Sequence, residues 1–337
     1  MTALDPEERT EEEVRLRNLL MRVGERARAY FPGVDPDGRI DVRRRWQRAY
    51  SDVYRLAFLG GAHGEKEVIL KICPDAEIQY RAMVEVWPRF AQNETLRIPR
   101  PLDYVPEGPA VVMEAVEGES LQARLPRIDW LAQRRERAER DCRRAGEWLK
   151  FYHGPEPLAE GHVEVDARLD DFKTAIEKLS DAGIARRHGA EWVGRLETDG
   201  ERLRRRVQPV SHVHGDFTID NVLFDGSRVT GLDVLGVDTN VIYNDIASFL
   251  NSLLLLRLTR PLRRSYLSRL RSAVLRGYFG DEPWDELAVT FLQRAGLVDV
   301  ALEVLSRRTS ILSRAILTHV MEVTMRSLAE GQAEESV

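Results

Sequence analysis

The stretch His214-Gly215-Asp216-Phe217-Thr218-Ile219-Asp220-Asn221-Val222-Leu223-Phe224, followed by Asp225-Gly226-Ser227 and then by Gly231-Leu232-Asp233, decides how the rest of this sequence is read. Residues 222 to 224 and 228 to 232 have the apolar content of short strands, and the Asp-Gly-Ser between them is turn chemistry, so a hairpin is expected. Residues 210 to 214 predict a further short strand just before it. A turn centred near Gly226 pairs residues whose numbers sum to about 452, which predicts Asn221 and Asp233 side by side at the open end of the hairpin. An amide oxygen beside a carboxylate suits a magnesium ion that carries nucleotide phosphates, because Mg²⁺ keeps several waters and takes few protein ligands. Asp216, five positions before Asn221, is placed to accept or orient the proton of a hydroxyl attacking a γ-phosphate.

Upstream, Val68-Ile69-Leu70-Lys71-Ile72-Cys73 puts a cation inside an apolar strand. The chain has only five lysines (66, 71, 150, 173 and 178) among 50 basic residues, so arginine serves wherever a generic surface cation is enough. An ammonium in such a strand needs partners, since burying it alone would cost several kcal/mol. The spans 50 to 59 and 67 to 73 have strand content and are joined by Gly60-Gly61-Ala62-His63-Gly64, which predicts an antiparallel pair. Residues 75 to 92 have helical spacing, and residues 110 to 113 form another short apolar strand. Before this sheet, residues 8 to 30 read as an amphipathic helix, closed by the Pro32-to-Gly38 breaker cluster. Beyond Glu117-Gly118-Glu119 the spacing is helical over 129–153, 168–182, 190–206, 245–257, 261–278 and 284–330.

These residues resemble the aminoglycoside phosphotransferase and choline kinase-like family, whose loop reads HGDxxxxN, followed by a hairpin and a metal-binding Asp. His214, Gly215, Asp216, Asn221 and Asp233 match that pattern. The resemblance implies an α+β, bilobal protein-kinase-like fold, with a small antiparallel-sheet N-lobe and a larger, mainly helical C-lobe. Its ordered motifs run over roughly residues 45–255 and set the N-lobe at 41–115 and the C-lobe at 116–337, while the composition of the flank ahead of them gives an N-terminal helical extension over 1–40. It makes Asp216 the catalytic base and Asn221 and Asp233 the metal ligands, with ATP and Mg²⁺ as cofactors. Lys71 is then the lysine that holds the α- and β-phosphates, oriented by a helix glutamate, for which Glu85 is preferred over Glu77. Ser51-Asp52-Val53-Tyr54-Arg55-Leu56 is similar to the nucleotide-covering turn, with Ser51 and nearby backbone N–H groups facing phosphate. Val111 to Leu121 resembles the hinge, where backbone groups of Glu114 and Val116 bind adenine. The sequence departs from the family where GDPxxDLA is expected. It has Asn240-Val241-Ile242-Tyr243-Asn244-Asp245-Ile246-Ala247, and Asp245 is expected still to accept backbone N–H bonds from the catalytic loop.

Composition narrows the alternatives. With 337 residues, 43% hydrophobic and 31% charged, the chain can bury a large core without disulfides or a structural metal. Its two cysteines, Cys73 and Cys142, have no metal-ligand spacing. The net charge of −5 supplies no global field for nucleic acid, and the longest apolar stretch, 246 to 256, is too short to span a bilayer. The acidic start is unlike a signal peptide, so a cytoplasmic protein is expected, with no membrane or nucleic-acid partner. The arginine-rich runs at 133–144 and 257–276 read as helices with solvated faces, the second burying a Leu262, Tyr266, Leu270 and Val274 stripe. His214 reads as a packed ring that holds its loop, and Met113 as core.

The expected activity is transfer of the γ-phosphate of ATP to a hydroxyl of a small molecule: an aminoglycoside or other antibiotic, a sugar or an amino alcohol. Asp166, Asp170, Asp171, Glu177, Asp285 and Glu286 are the acids available to a cationic acceptor, with surface charge as their plainer reading. A catalytically weak nucleotide-binding scaffold is the first rival, and retention of Lys71, Asp216, Asn221 and Asp233 weighs against it. A protein kinase is the second; the twelve steps from Asp233 to Asp245 (245 − 233) leave no room for an activation segment. Oligomeric state and the identity of the acceptor are left open by the sequence.

Overall fold

Tyr54, Leu56 and Phe58 alternate along one strand and Val68 and Leu70 along its neighbour, so a period of two lays one apolar face across the sheet they build. The computed structural model describes residues 6–31, 39–47, 50–59, 65–126, 132–236, 238–258, 260, 262–306, 315 and 317–326. The Pro32-to-Gly38 breaker, the Gly60-to-Gly64 turn and parts of the expected 129–153, 261–278 and 284–330 helices lie outside them. In chain order the elements begin with α1 (Pro6–Glu25), α2 (Ala27–Tyr30), β1 (Ile40–Gln47), β2 (Asp52–Phe58), β3 (Lys66–Ile72), α3 (Ala76–Phe90), β4 (Leu96–Arg97), β5 (Pro101–Val105) and β6 (Ala110–Glu114). They continue with β7 (Glu119–Ser120), α4 (Leu121–Arg124), α5 (Ala132–His153), β8 (Ala159–Gly161), α6 (Val165–Asp181), α7 (Gly189–Leu203) and β9 (Gln208–His212). The last are β10 (Val222–Asp225), β11 (Arg228–Gly231), β12 (Thr239–Val241), α8 (Tyr243–Leu255), α9 (Arg264–Phe279) and α10 (Glu286–Ser306).

The chain divides into two compact units. Met1–Gly118 with Asp225–Gly236 form the first, and Glu119–Phe224 with Val237–Val337 the second. In the first, β1-β2-β3-β6-β5 make one antiparallel sheet. Its Tyr54, Leu56, Phe58, Val68, Leu70 and Val112 form one core cluster with Leu19 and Val23 of α1 and Ala27 and Tyr30 of α2. The N-terminal helices therefore cover this face. They are pinned by Tyr30, whose hydroxyl donates to Asp103 Oδ2 at 2.7 Å, and by Arg26, which meets the same oxygen at 2.9 Å. Lys71 alternates with Leu70 and so belongs to the other face, in register with Val53 and Val111.

Two strands of this sheet had no signal in the sequence. β1 reads Ile-Asp-Val-Arg-Arg-Arg-Trp-Gln, without alternation, because it is an edge strand and most of its side chains stay wet. β5 starts at Pro101, which reads as a terminator; at the first position of the other edge strand the missing N–H is tolerated.

The second unit is mainly helical. From Leu287 to Val298 α10 is buried on nearly every side, with Leu287, Phe291, Leu297 and Val298 accompanied by Thr290, Gln293 and Arg294, so this part reads as a central helix rather than an amphipathic surface one. Its Arg294 forms a buried ion pair with Asp199 of α7. α5 and α9 pack closely, and the expected Tyr266, Leu270 and Val274 stripe of α9 is buried. Their backbones touch at two glycines. A Cβ on Gly277 would lie 1.9 Å from the Arg143 carbonyl oxygen, and one on Gly146 2.2 Å from that of Val274. Cys73 and Cys142 are buried and form no disulfide. Among the described residues no helix is long and apolar enough to cross a membrane.

The crossing gives a direct test. Gly277→Ala should lower unfolding free energy by about 3 kcal/mol or more, because backbone cannot give way as a flexible side chain would. Gly194→Ala, at an exposed position of α7 with nothing within 4 Å of the new carbon, should leave stability unchanged or raise it by up to about 1 kcal/mol. Urea unfolding of the two variants decides it; equal stability in both would refute the close crossing.

Candidate active site

Asp245, in the first turn of α8, is the anchor of the loop that carries His214 to Asn221. Its Oδ2 accepts the His214 N–H at 2.6 Å and its Oδ1 the Gly215 N–H at 3.0 Å, as expected from the sequence. A third donor was not foreseen: His153 Nε2 meets Oδ2 at 2.9 Å, and His153 Nδ1 lies 2.7 Å from the Tyr278 hydroxyl. A carboxylate only accepts, so Nε2 carries a proton. Burial pushes the Tyr278 phenol up, with the Asp245 charge adding to it, so its hydroxyl stays protonated beside Nδ1. Burial of Asp245 opposes its ionisation, yet the His153 hydrogen bond, the two histidines and the loop N–H outweigh it and hold the carboxyl below its ordinary range.

The rest of the loop is equally accounted for. The Asp216 N–H donates to His214 Nδ1 at 3.3 Å, and the buried His214 ring packs among Trp148, Tyr152 and Phe217. It is thus the packed ring the sequence predicted. The Ile219 N–H donates to Ser252 Oγ at 3.1 Å, and the Ile219 carbonyl accepts the Gln122 N–H at 3.1 Å. Gly215 has φ of 85°, a left-handed turn that glycine adopts without strain. Where the family's Gly-Asp-Pro is missing, Thr239–Val241 form β12, paired antiparallel with β9, so the departure is absorbed as a strand.

Asp216 and Asn221 are brought together within this unit. Asn221, 5% exposed, donates its amide N–H groups to the Asp216 carbonyl at 2.9 Å and to Asp216 Oδ2 at 2.8 Å. Both donors face Asp216, which leaves the amide oxygen to serve as an acceptor or a cation ligand.

In the other unit Lys71 is 7% exposed, and its Nζ lies 2.8 Å from Asp233 Oδ1. The carboxylate that meets the ammonium is thus Asp233. Glu85 sits at an exposed position, because the inward stripe of α3 is Gln79, Ala82, Met83, Val86 and Phe90 and position 85 falls outside it. Asp233 has φ of 56°, the one non-glycine positive φ among the described residues, a conformation that costs on the order of 1 kcal/mol. Ser51 directly precedes β2, and positions 48 and 49 of its turn are outside the described residues. The Glu114 N–H donates to the Arg100 carbonyl at 2.9 Å, and its carboxylate is held by Arg97 at 3.2 Å and by the Arg100 N–H at 3.3 Å. Val116 follows in the irregular stretch 115–118.

Three of the acids set aside for a cationic acceptor have structural partners. Asp166 pairs with Arg204; Asp285 binds Arg206 and Gln208 and caps α10; Glu286 pairs with Arg271 and accepts from Trp284. Asp170, Asp171 and Glu177 are exposed on α6. His153 was missed because it stands alone at a helix end, 92 positions from Asp245; its polar neighbour Tyr278 is farther still.

A model of the phosphotransferase enzyme family matches residues 41–289. No curated protein sequence matches the chain. Among solved structures it is similar to a choline/ethanolamine kinase family protein from Mesorhizobium loti, at 16% identity over 92% of this chain and 95% of that one, with a TM-score of 0.58. It is also similar to a Plasmodium vivax ethanolamine kinase, at 9% identity over 97% of both chains and a TM-score of 0.59. An amicoumacin kinase in complex with AMP-PNP, Ca²⁺ and amicoumacin aligns at 15% identity over 94% and 96%, with a TM-score of 0.58. The fold is therefore kinase-like, as the loop motif predicted.

Replacing the anchor tests how the loop is held. Asp245→Asn keeps the shape but loses the charge, and should cost about 2–4 kcal/mol in unfolding free energy. The folded-state pKa of Asp245 lies below the ordinary value of 3.8. Its stabilisation is therefore present above that value and is lost as pH falls through the folded pKa. The gap between wild type and Asn variant, measured by urea unfolding, should be constant from about pH 5 to 8 and shrink below about pH 4. A gap independent of pH would show that the charge is not what anchors the loop.

Proposed function

Because the chain belongs to the phosphotransferase enzyme family, we propose that it transfers the γ-phosphate of ATP to a hydroxyl of a small molecule. The contact between Lys71 and Asp233 carries this reading: a buried lysine held against a carboxylate that sits in a strained backbone conformation, within the motif order of the family. Lys71 binds the α- and β-phosphates, while Ser51 and adjacent backbone N–H groups cover them. The Glu114 N–H is already used, so its carbonyl accepts from the exocyclic amine of adenine and the Val116 N–H donates to a ring nitrogen. Glu85, exposed on α3, has no part in this reading.

Asp216 orients the acceptor hydroxyl and takes its proton as that oxygen attacks the γ-phosphorus; the bond to the β-phosphate oxygen breaks and ADP leaves. Hard oxygen donors fit Mg²⁺, and the Asn221 amide oxygen with the Asp233 carboxylate would hold it, the nucleotide and water completing its shell. When bound, the ion draws negative charge from the phosphates. Asn221 also fixes Asp216 through its two amide donors, which sets the base before substrate arrives. An amino alcohol or an amine-bearing antibiotic is the favoured acceptor class, in line with the ethanolamine and amicoumacin kinases that share the fold.

An ADP-release assay across choline, ethanolamine, amino sugars and aminoglycosides identifies the acceptor. With it in hand, Asp216→Asn should lower kcat by about 10²–10⁴-fold while nucleotide affinity stays within about twofold. Lys71→Met should raise the KM for ATP and lower kcat together. Turnover by Asp216→Asn at the wild-type rate would remove Asp216 from the chemistry.

A further inference from the structure

A cavity of about 440 Å³ opens in the sheet-bearing unit, and none of the residues proposed to touch nucleotide, metal or acceptor lines it. The C-terminal end of α3 supplies Trp87 and Phe90, the segment after it Asn93, Glu94 and Thr95, β4 supplies Arg97, and β11 begins with Arg228. Phe90 is 1% exposed, so one wall is fixed by the core. The loop is fixed as well. Asn93 Oδ1 accepts the N–H groups of Thr95 and Leu96 at 3.0 and 2.8 Å, and the Thr95 carbonyl accepts the Val229 N–H at 2.7 Å. The space is therefore preformed, of a size suited to a small molecule.

Its chemistry is mixed in a particular way. Two guanidinium groups, Arg97 and Arg228, share the lining with the partly exposed Trp87 ring, backed by the buried Phe90, and the exposed Glu94 is the single acid. Arg228 is half exposed, with its nearest ion-pair partner, Asp225, at 3.9 Å, a loose contact that a ligand can displace. Guanidinium groups favour carboxylate and phosphate oxygens, and the Trp87 ring favours a flat apolar body. Arg97 is also the residue that holds the Glu114 carboxylate, with Nη2 at 3.2 and 3.4 Å from its two oxygens.

We propose that this cavity is a second ligand site, for a small organic anion with a flat apolar body, and that its occupancy reaches the nucleotide-binding segment through Arg97 and Glu114. An anion on Arg97 competes with Glu114 for the same guanidinium and loosens the segment at which adenine binds. Nucleotide affinity then falls, and by linkage nucleotide weakens the anion by the same factor. The binding half stands on the cavity alone; the coupling half rests on the adenine role given to Glu114 above.

Calorimetric titration of the full chain with phenyl phosphate and with benzoate tests it, with benzyl alcohol as the neutral control. One anion or both should bind saturably and the alcohol should not; the two arms tell a phosphate head from a carboxylate one. Arg228→Gln should weaken the probe by about tenfold and Arg228→Lys recover part of the loss, whereas Lys71→Met should leave it within about twofold. A saturating probe should raise the Kd for ATP by about fivefold, and Glu114→Gln should abolish that rise. Absence of binding by either anion, or binding that follows Lys71 rather than Arg228, overturns the site. Arg228-dependent binding with an unchanged Kd for ATP overturns the coupling. A chain that binds the probe but no nucleotide overturns the proposed function and leaves the site standing.

Discussion

A carboxylate that is 2% exposed has to be satisfied where it sits, and Asp245 is satisfied by two backbone N–H groups and one imidazole. Removing a carboxylate from water costs several kcal/mol before any partner is counted, so its donors have to arrive together. They come from three places: the loop itself, the last residue of α5 and, through His153, Tyr278 near the end of α9. The close approach of α5 and α9 at Gly146 and Gly277 is what allows this, since Tyr278 directly follows one of those glycines and His153 lies two turns past the other. Helix packing, a hydrogen-bond chain and the shape of a functional loop are in this way one constraint.

Lys71 shows the same logic with opposite sign. Its ammonium is buried and Asp233 is its carboxylate, at the cost of a backbone angle that side-chain-bearing residues seldom adopt. Such a pairing holds the ammonium in place, which is what the proposed function asks of a cation that is to meet phosphate. Asn221 does a comparable service for Asp216, so both halves of the proposed chemistry are preorganised by hydrogen bonds rather than by bulk.

Much of this was legible in the chain. The alternation in β2 and β3, the turn at Gly226 and the order Lys71, Asp216, Asn221, Asp233 are local signals, and Asp245 was recognisable from the residues after it despite the missing Gly-Asp-Pro. What stayed hidden depended on distant partners or on solvent. β1 and β5 are edge strands, where alternation and the ban on proline are relaxed. His153 meets its partner across 92 positions, and Lys71 meets Asp233 across 162. Glu85 was chosen by its distance along the chain, but a helix turns its side chains by about 100° per residue, and the neighbour of an inward residue need not face inward.

The two N-terminal helices carry one more lesson. The match to the family model begins at residue 41, yet Leu19, Val23, Ala27 and Tyr30 are already core, laid against the five-stranded sheet. The matched segment and the cohesive core thus have different borders on this chain. A gene fragment trimmed to residues 41–289 would be born with an oily flank that the two N-terminal helices otherwise keep from water.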